Sequence, residues 1–214
     1  MYNYEYVSKK IAMPIKNDII ELIKHVQNEV RNYYFTFQFN FIGSEKRNMI
    51  TCDFTNNKGF DFDVNIEVNY DAENFTPKEI KNILMSAFKR HIFYYGYNNC
   101  EDSTRVFTIK VKDRDNSRIL HSCDFAIVNN YEKNRQEYIR FNEKQNSYSW
   151  EEQPKGFYDL PNKIEFCKNH HLWNDVRKLY LDKKNFNNDN NKKSRSIFAE
   201  TIHEICQQNG YYKR

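Results

Sequence analysis

The sequence predicts an α+β fold, with strands and helices mixed over residues 1–155 and helices alone over 156–214. Three observations carry this expectation. Phe35-Thr36-Phe37-Gln38-Phe39-Asn40-Phe41 alternates apolar and polar residues with the period of two of a half-buried strand. Apolar stripes at helical spacing follow Asn17 and Thr76. Beyond Pro154, Gly156 and Pro161, which mark a linker, only helical periodicity remains.

In chain order, Asn17-Asp18 open a helix to about Tyr33, with Ile19, Ile20, Leu22, Ile23, Val26 and Val30 as its apolar stripe. The alternating strand from Phe35 ends at Gly43-Ser44. Met49 to Phe54, a turn at Asn56-Asn57-Lys58-Gly59, and Phe60 to Val68 read as a β-hairpin. Thr76-Pro77-Lys78-Glu79 is a helix start, with Thr as cap, Pro in the first turn and Glu three residues after the Thr. That helix reaches about Phe93, turns Ile80, Ile83, Leu84, Ala87 and Phe88 inward, and ends at Gly96. Thr104–Val111 and Arg118–Val128 are expected to pair antiparallel, and Glu137–Phe141 with Ser147–Trp150 to form a further hairpin. Helices follow at about 160–169, 171–184 and 195–208, ended by Gly210, with Asn185–Asn191 as a mobile loop. The helical piece is too small to fold alone and is expected to pack on the core.

Composition narrows the function classes. No apolar run approaches the ~20 residues that cross a bilayer. Met1-Tyr2-Asn3-Tyr4-Glu5 lacks the basic-then-apolar order of a secretory leader. The five cysteines (Cys52, Cys100, Cys123, Cys167, Cys206) are scattered, odd in number and without Cys-x-x-Cys, which points to reduced thiols and a cytoplasmic protein rather than a zinc site. His170-His171 near Cys167 would point apart on a helix and reads as a surface helix end. From Arg177 to Arg195 seven basic residues stand against two acidic ones. That segment suits a polyanion, either an NTP triphosphate or an RNA backbone, and equally suits a solvated loop.

Three short pieces carry the chemistry: Phe41-Ile42-Gly43-Ser44, Phe60-Asp61-Phe62-Asp63-Val64, and Ser122-Cys123-Asp124-Phe125. In a strand, Asp61 and Asp63 share one face and the apolar residues the other. Neighbouring carboxylates stay ionised cheaply only beside a cation, and a hard, oxygen-seeking ion suits them. Asp124 could close the site. Asp113 and Asp115 are rivals, although Lys112–Asn116 reads as a hairpin turn. Gly-Ser at a strand end offers backbone N–H groups and a hydroxyl to a phosphate.

This order of motifs resembles the nucleotidyltransferase superfamily that includes DNA polymerase β, poly(A) polymerases and the oligoadenylate and cyclic-dinucleotide synthases. The resemblance covers roughly residues 17–130, with a stretch from Ser44 to Asp61 longer than usual. It implies a nucleotidyltransferase core, a mixed and mostly antiparallel sheet with helices on one face, and metal-dependent transfer of a nucleoside monophosphate from an NTP. It implies two ions, Mg²⁺ or Mn²⁺: Asp61 and Asp63 on the nucleotide-side ion, Asp124 on the second, beside the acceptor. Gly43 and Ser44 would hold the β- and γ-phosphates. Lys46 and Arg47, or Lys178 with its neighbours Arg177 and Lys183, are the candidate cations for the leaving pyrophosphate. Tyr180 or Phe186 would stack on a base or pack in the core. The acceptor is left open among an RNA 3′ end such as tRNA, held by Arg177–Arg195, a nucleotide, and a protein hydroxyl. The alternatives are a catalytically degenerate regulator, such as a toxin–antitoxin or defence partner subunit, and an unrelated α+β interaction protein.

Overall fold

The computed structural model describes residues 2–113, 115–132, 135–153, 159–189 and 191–211. The chain divides into two compact units: residues 6–52 with 57–153, and residues 1–5 and 53–56 with 154–214. Of the linker residues named above, Pro154 and Gly156 lie outside the described residues, and Pro161 sits in the first turn of a helix.

The first unit opens with α1 (Lys9–Tyr33), which begins eight residues before the expected Asn17. Polar Lys9 and Lys10 hide the helical period there, and Pro14 reads as a helix breaker. The helix tolerates it near its start, at the loss of one backbone hydrogen bond. Ile19, Leu22, Ile23, Val26 and Val30 are fully buried. α2 (Pro77–His91) has the expected capping box between Thr76 and Glu79, and Gly96, in the left-handed region at φ 77°, closes the short turn that follows it.

These helices pack on a seven-stranded sheet. Its strands are β1 (Phe37–Ile42), β2 (Phe60–Val68), β3 (Asn99–Asp102), β4 (Phe107–Asp113), β5 (Arg118–Glu132), β6 (Arg135–Asn142) and β7 (Ser147–Glu152). The order is β1-β2-β5-β4-β3, with β6 joined to the later half of β5 and to β7. Only β2 and β5 run parallel. The sheet is therefore mixed and mostly antiparallel, in an α+β unit. Phe60, Phe62, Val64, Ile66 and Val68 are buried on one face, where the Phe88 ring of α2 packs on Phe107 and Phe125. The other face of the same strands carries the polar alternates.

Two local expectations are corrected. Met49 to Phe54 is not the first arm of a hairpin with β2. Thr51–Cys52 forms a two-residue strand, and the Val7 amide donates to the Ile50 carbonyl (2.9 Å), so this stretch follows the N-terminal segment. β2 has no edge free for it, being paired with β1 and β5. Gly59 serves a close crossing: a Cβ there would lie 2.7 Å from the Leu120 carbonyl carbon of β5. The strand β3 was not anticipated. It is held to α2 through buried Lys81, whose ammonium pairs with Asp102 (2.5 Å) and donates to the Ser103 carbonyl (3.0 Å), while the Tyr148 hydroxyl donates to Asp102 (2.8 Å).

The second unit contains α3 (Leu160–Asn169), α4 (Trp173–Phe186) and α5 (Ser194–Gln208). Its interior is Cys167, Val176, Tyr180, Ile197, Phe198, Ile202, Ile205 and Cys206. Asn185 belongs to the last turn of α4 rather than to a mobile loop: its side chain accepts from the Tyr4 amide (2.5 Å) and donates to the Tyr4 carbonyl (3.1 Å). Asn190, from the same low-complexity stretch, lies outside the described residues.

Candidate active site

The site is built on the polar face of the sheet. The parallel β2–β5 ladder sets Asp61 opposite Ser122 and Asp63 opposite Asp124. The antiparallel β4–β5 ladder sets Thr108 opposite Asp124 and Lys110 opposite Ser122. Since side chains alternate along each strand, these six polar residues share one face. Asp61, Asp63 and Asp124 are thus brought to neighbouring strands at one height of the sheet.

Hydroxyls hold two of the three carboxylates. Ser122 Oγ donates to Asp61 Oδ1, and Thr108 Oγ1 donates to Asp124 Oδ1 at 2.6 Å. Asp63 bears the electrostatic load. Burial, then the Asp124 and Asp61 carboxylates, push its pKa up to about 6, against the pull of the Arg47 guanidinium. Burial likewise raises Asp124, and the Thr108 hydrogen bond opposes the rise. Among the described residues, no three His, Cys, Asp or Glu side chains converge as a formed metal cluster; Asp61 and Asp124 are each turned onto a hydroxyl. Lys110, on the same face, pairs with Glu101 (2.5 Å).

Gly43 and Ser44 follow β1 directly, in a single helical turn, Gly43–Lys46. Ile42 is the ladder partner of Asp63, so the turn starts beside that carboxylate. Gly43 has φ +65°, and a Cβ on it would fall against Asp63 Oδ2 and 3.0 Å from Cγ. Both facts require glycine. The Ser44 carbonyl accepts from the Met49 amide (2.8 Å), and Glu45 pairs with Lys16 (2.5 Å). Lys46 is exposed, and Arg47 lies close enough to Asp63 to favour its ionised form.

The remaining candidates are placed as follows. Asp113 closes the β4–β5 turn, accepting from the Asn116 amide (3.2 Å), Asn116 Nδ2 (2.8 Å) and Arg118 Nε (3.0 Å); Asp115 lies within that turn. Lys178 stands on α4, in the helical unit, beside Asp175, Asp182 and Glu204. Tyr180 is buried edge-on to Phe198, whereas Phe186 is 65% exposed. In the basic segment, Lys183 pairs with Glu204 (2.6 Å) and Lys192 with Glu200 (2.7 Å). Ser122, Thr108 and Lys110 were missed. The available signal was a Ser or Thr two residues from a charged residue on each strand beside the aspartates.

A single parallel pair inside an otherwise antiparallel sheet, with one buried apolar face and a carboxylate-bearing opposite face, makes an α+β fold that is similar to that of solved cyclic dinucleotide synthases. No protein-family profile and no curated protein sequence matches the chain. Solved structures do. The Elizabethkingia meningoseptica CdnE cyclic dinucleotide synthase with GTP and Apcpp is 12% identical and covers 90% of this chain and 75% of its own, at a TM-score of 0.53. The Vibrio cholerae DncV cyclic AMP-GMP synthase with a linear intermediate is 15% identical, covering 84% and 47%, at 0.53. Its 3′-deoxy ATP bound form is 14% identical, covering 98% and 54%, at 0.55. The chain spans about half the length of the Vibrio protein. At such identities the likeness is one of fold. Among the described residues, no helix is long and apolar enough to cross a membrane.

Proposed function

We propose that this chain is an NTP-dependent nucleotidyltransferase, moving a nucleoside monophosphate to a hydroxyl acceptor and releasing pyrophosphate. The observation that carries the reading is the face shared by Asp61, Asp63 and Asp124, with the Gly43 turn pressed against Asp63. Burial, then the Asp124 and Asp61 carboxylates, make Asp63 hold a proton more readily than a free aspartate, so a cation beside it would favour its ionised form. Three carboxylates and neighbouring hydroxyls are hard oxygen donors, a set that fits Mg²⁺ or Mn²⁺. Asp61, Asp63 and Asp124 would hold two such ions, which when bound supply charge to the triphosphate and acidify the attacking hydroxyl. The chain's own residues do the rest. Gly43 and Ser44 offer the turn's N–H groups and a hydroxyl to the β- and γ-phosphates. Lys46 and Arg47 meet the charge that gathers on pyrophosphate. Ser122 and Thr108 orient the carboxylates.

A nucleotide is the favoured acceptor. Lys183 and Lys192, two of the seven basic residues of Arg177–Arg195 on which an RNA backbone would rest, are engaged by glutamates of α5. The cyclic dinucleotide synthases of similar fold join nucleotide to nucleotide. An RNA 3′ end held by Arg177–Arg195 is the second reading, and Lys178 would serve it or the triphosphate. All five cysteines are outside any disulfide, in keeping with a cytoplasmic setting. The test is to supply each labelled NTP with Mg²⁺ or Mn²⁺, with and without total RNA, and to resolve the products. Pyrophosphate release with short nucleotide products, lost in Asp61→Asn/Asp63→Asn, supports the reading. Labelled RNA moves it to the second acceptor. Absence of both metal-dependent NTP binding and turnover overturns it.

A further inference from the structure

In the helical unit two cysteines meet. Cys167 on α3 and Cys206 on α5 are 0% and 1% exposed. Their sulfurs lie 3.6 Å apart in a thiol–thiol hydrogen bond, and Cys206 Sγ also donates to the Lys163 carbonyl at 3.6 Å. A disulfide needs roughly 2 Å between the sulfurs. Closing that gap takes a small shift of two helices already packed side by side. The other three cysteines, Cys52, Cys100 and Cys123, are buried in the sheet unit.

We propose that Cys167 and Cys206 are a reversible modification site, a dithiol that closes to an intramolecular disulfide by exchange with a low-molecular-weight disulfide such as oxidised glutathione. One thiolate sulfur attacks the oxidised glutathione and expels the first glutathione. The second thiolate attacks the resulting mixed disulfide at the protein sulfur and expels the other. The cysteines lose two protons and two electrons, and two glutathione thiols carry them away.

The surroundings set the rate. Burial, then the hydrogen bond with Cys206, pushes the Cys167 thiol up to about 12, and burial also raises Cys206. Both are therefore protonated and slow to react while the unit is closed. Tyr211 ties the chain after α5 back onto this pair. Its amide donates to the Cys206 carbonyl (2.9 Å), its ring lies edge-on to Phe166, and its hydroxyl donates to Asp159 (2.7 Å). Releasing Tyr211 opens the route to the sulfurs. The loop that the bridge closes contains the whole of Arg177–Arg195, so oxidation restrains a segment in which seven basic residues stand against two acidic ones.

The full chain is equilibrated in glutathione buffers of graded redox poise, alkylated, and mapped as non-reduced peptides. The expected result is a single Cys167–Cys206 cross-link, reversed by dithiothreitol, with Cys52, Cys100 and Cys123 alkylated. The oxidised form should melt roughly 5 °C or more above the reduced one. Tyr211→Phe should form the same bridge several times faster. Stable mixed disulfides, a bridge to another cysteine, or alkylation of both thiols even in Tyr211→Phe at the most oxidising poise would overturn the assignment. These readouts need no enzymatic turnover, so they stand or fall apart from the transferase reading.

Discussion

Gly43 and Asp63 meet so closely that no side chain fits between them. A Cβ on Gly43 would lie against the Asp63 carboxylate, and the φ of +65° already disfavours any other residue. Gly43→Ala should therefore destabilise the chain by about 1–2 kcal/mol, the scale of a non-glycine residue forced into the left-handed region with a local clash. It should also push Asp63 out of place, so NTP use should fall further than the stability loss explains. Denaturant midpoints together with turnover under fully folded conditions check this; unchanged turnover would detach the glycine from the site.

The crowding of carboxylates makes stability depend on pH. Asp63 has a folded pKa of about 6 against an ordinary 3.8, so between those values the folded state holds more protons than the unfolded one. Stability from this group is present below pH 4 and is lost as pH rises through 6, by up to about 3 kcal/mol. Asp124, also raised, acts in the same sense. The wild type minus Asp63→Asn difference in unfolding free energy, measured without divalent ions, should fall between pH 4 and 6.5. Adding Mg²⁺ should restore stability to the wild type above pH 6 and do little for the variant.

Thr108 should matter through Asp124. The 2.6 Å hydroxyl bond favours the ionised carboxylate. Thr108→Val removes it and lets burial raise Asp124 further. The acidic limb of the pH–rate profile should then move to higher pH, with turnover near pH 6 lower by about 10-fold, the worth of one hydrogen bond to a charged group. Turnover should recover at alkaline pH. A uniform loss at every pH would mean that Thr108 merely packs.

Lys81 tests the frame rather than the site. Its ammonium is buried at 1% exposure and depends on Asp102. Asp102→Ala strands that charge and should cost about 3–5 kcal/mol, whereas Lys81→Met keeps the apolar volume and should cost clearly less. Urea midpoints at unchanged slope give both values, and equal costs would refute the ranking.

The alternating strands and the capped start of α2 were legible in the sequence because their signals are local. Phe60 to Val68 alternates without a break, and Thr76–Glu79 forms its capping box within four residues. Features built from distant partners were not. Lys81 sits on what reads as the polar side of α2, and only the return of Asn99–Ser103 explains why it is buried. Asp53 looked like a strand residue, yet it is fully buried and accepts from the Asn3 amide (2.8 Å), the Asn56 amide (3.0 Å) and Asn56 Nδ2 (2.7 Å). Asp61, Asp63 and Asp124 stand out as candidates in the sequence, but the hydroxyls that hold two of them depend on which strands pair and in what register.

Register also decides how the gene can change. β5 is one unbroken strand whose early part answers to β2 and β4 and whose late part answers to β6. Losing a single codon ahead of Asp124 would turn its carboxylate to the buried face and swing Cys123 or Phe125 out in its place. The β6–β7 turn at Glu143–Asn146 faces solvent, and insertions there disturb only their own hairpin. Length variation among descendants of this chain should therefore gather at that turn, while the spacing from Gly59 to Asp63 and from Arg118 to Asp124 stays constant, even where the residues between them drift.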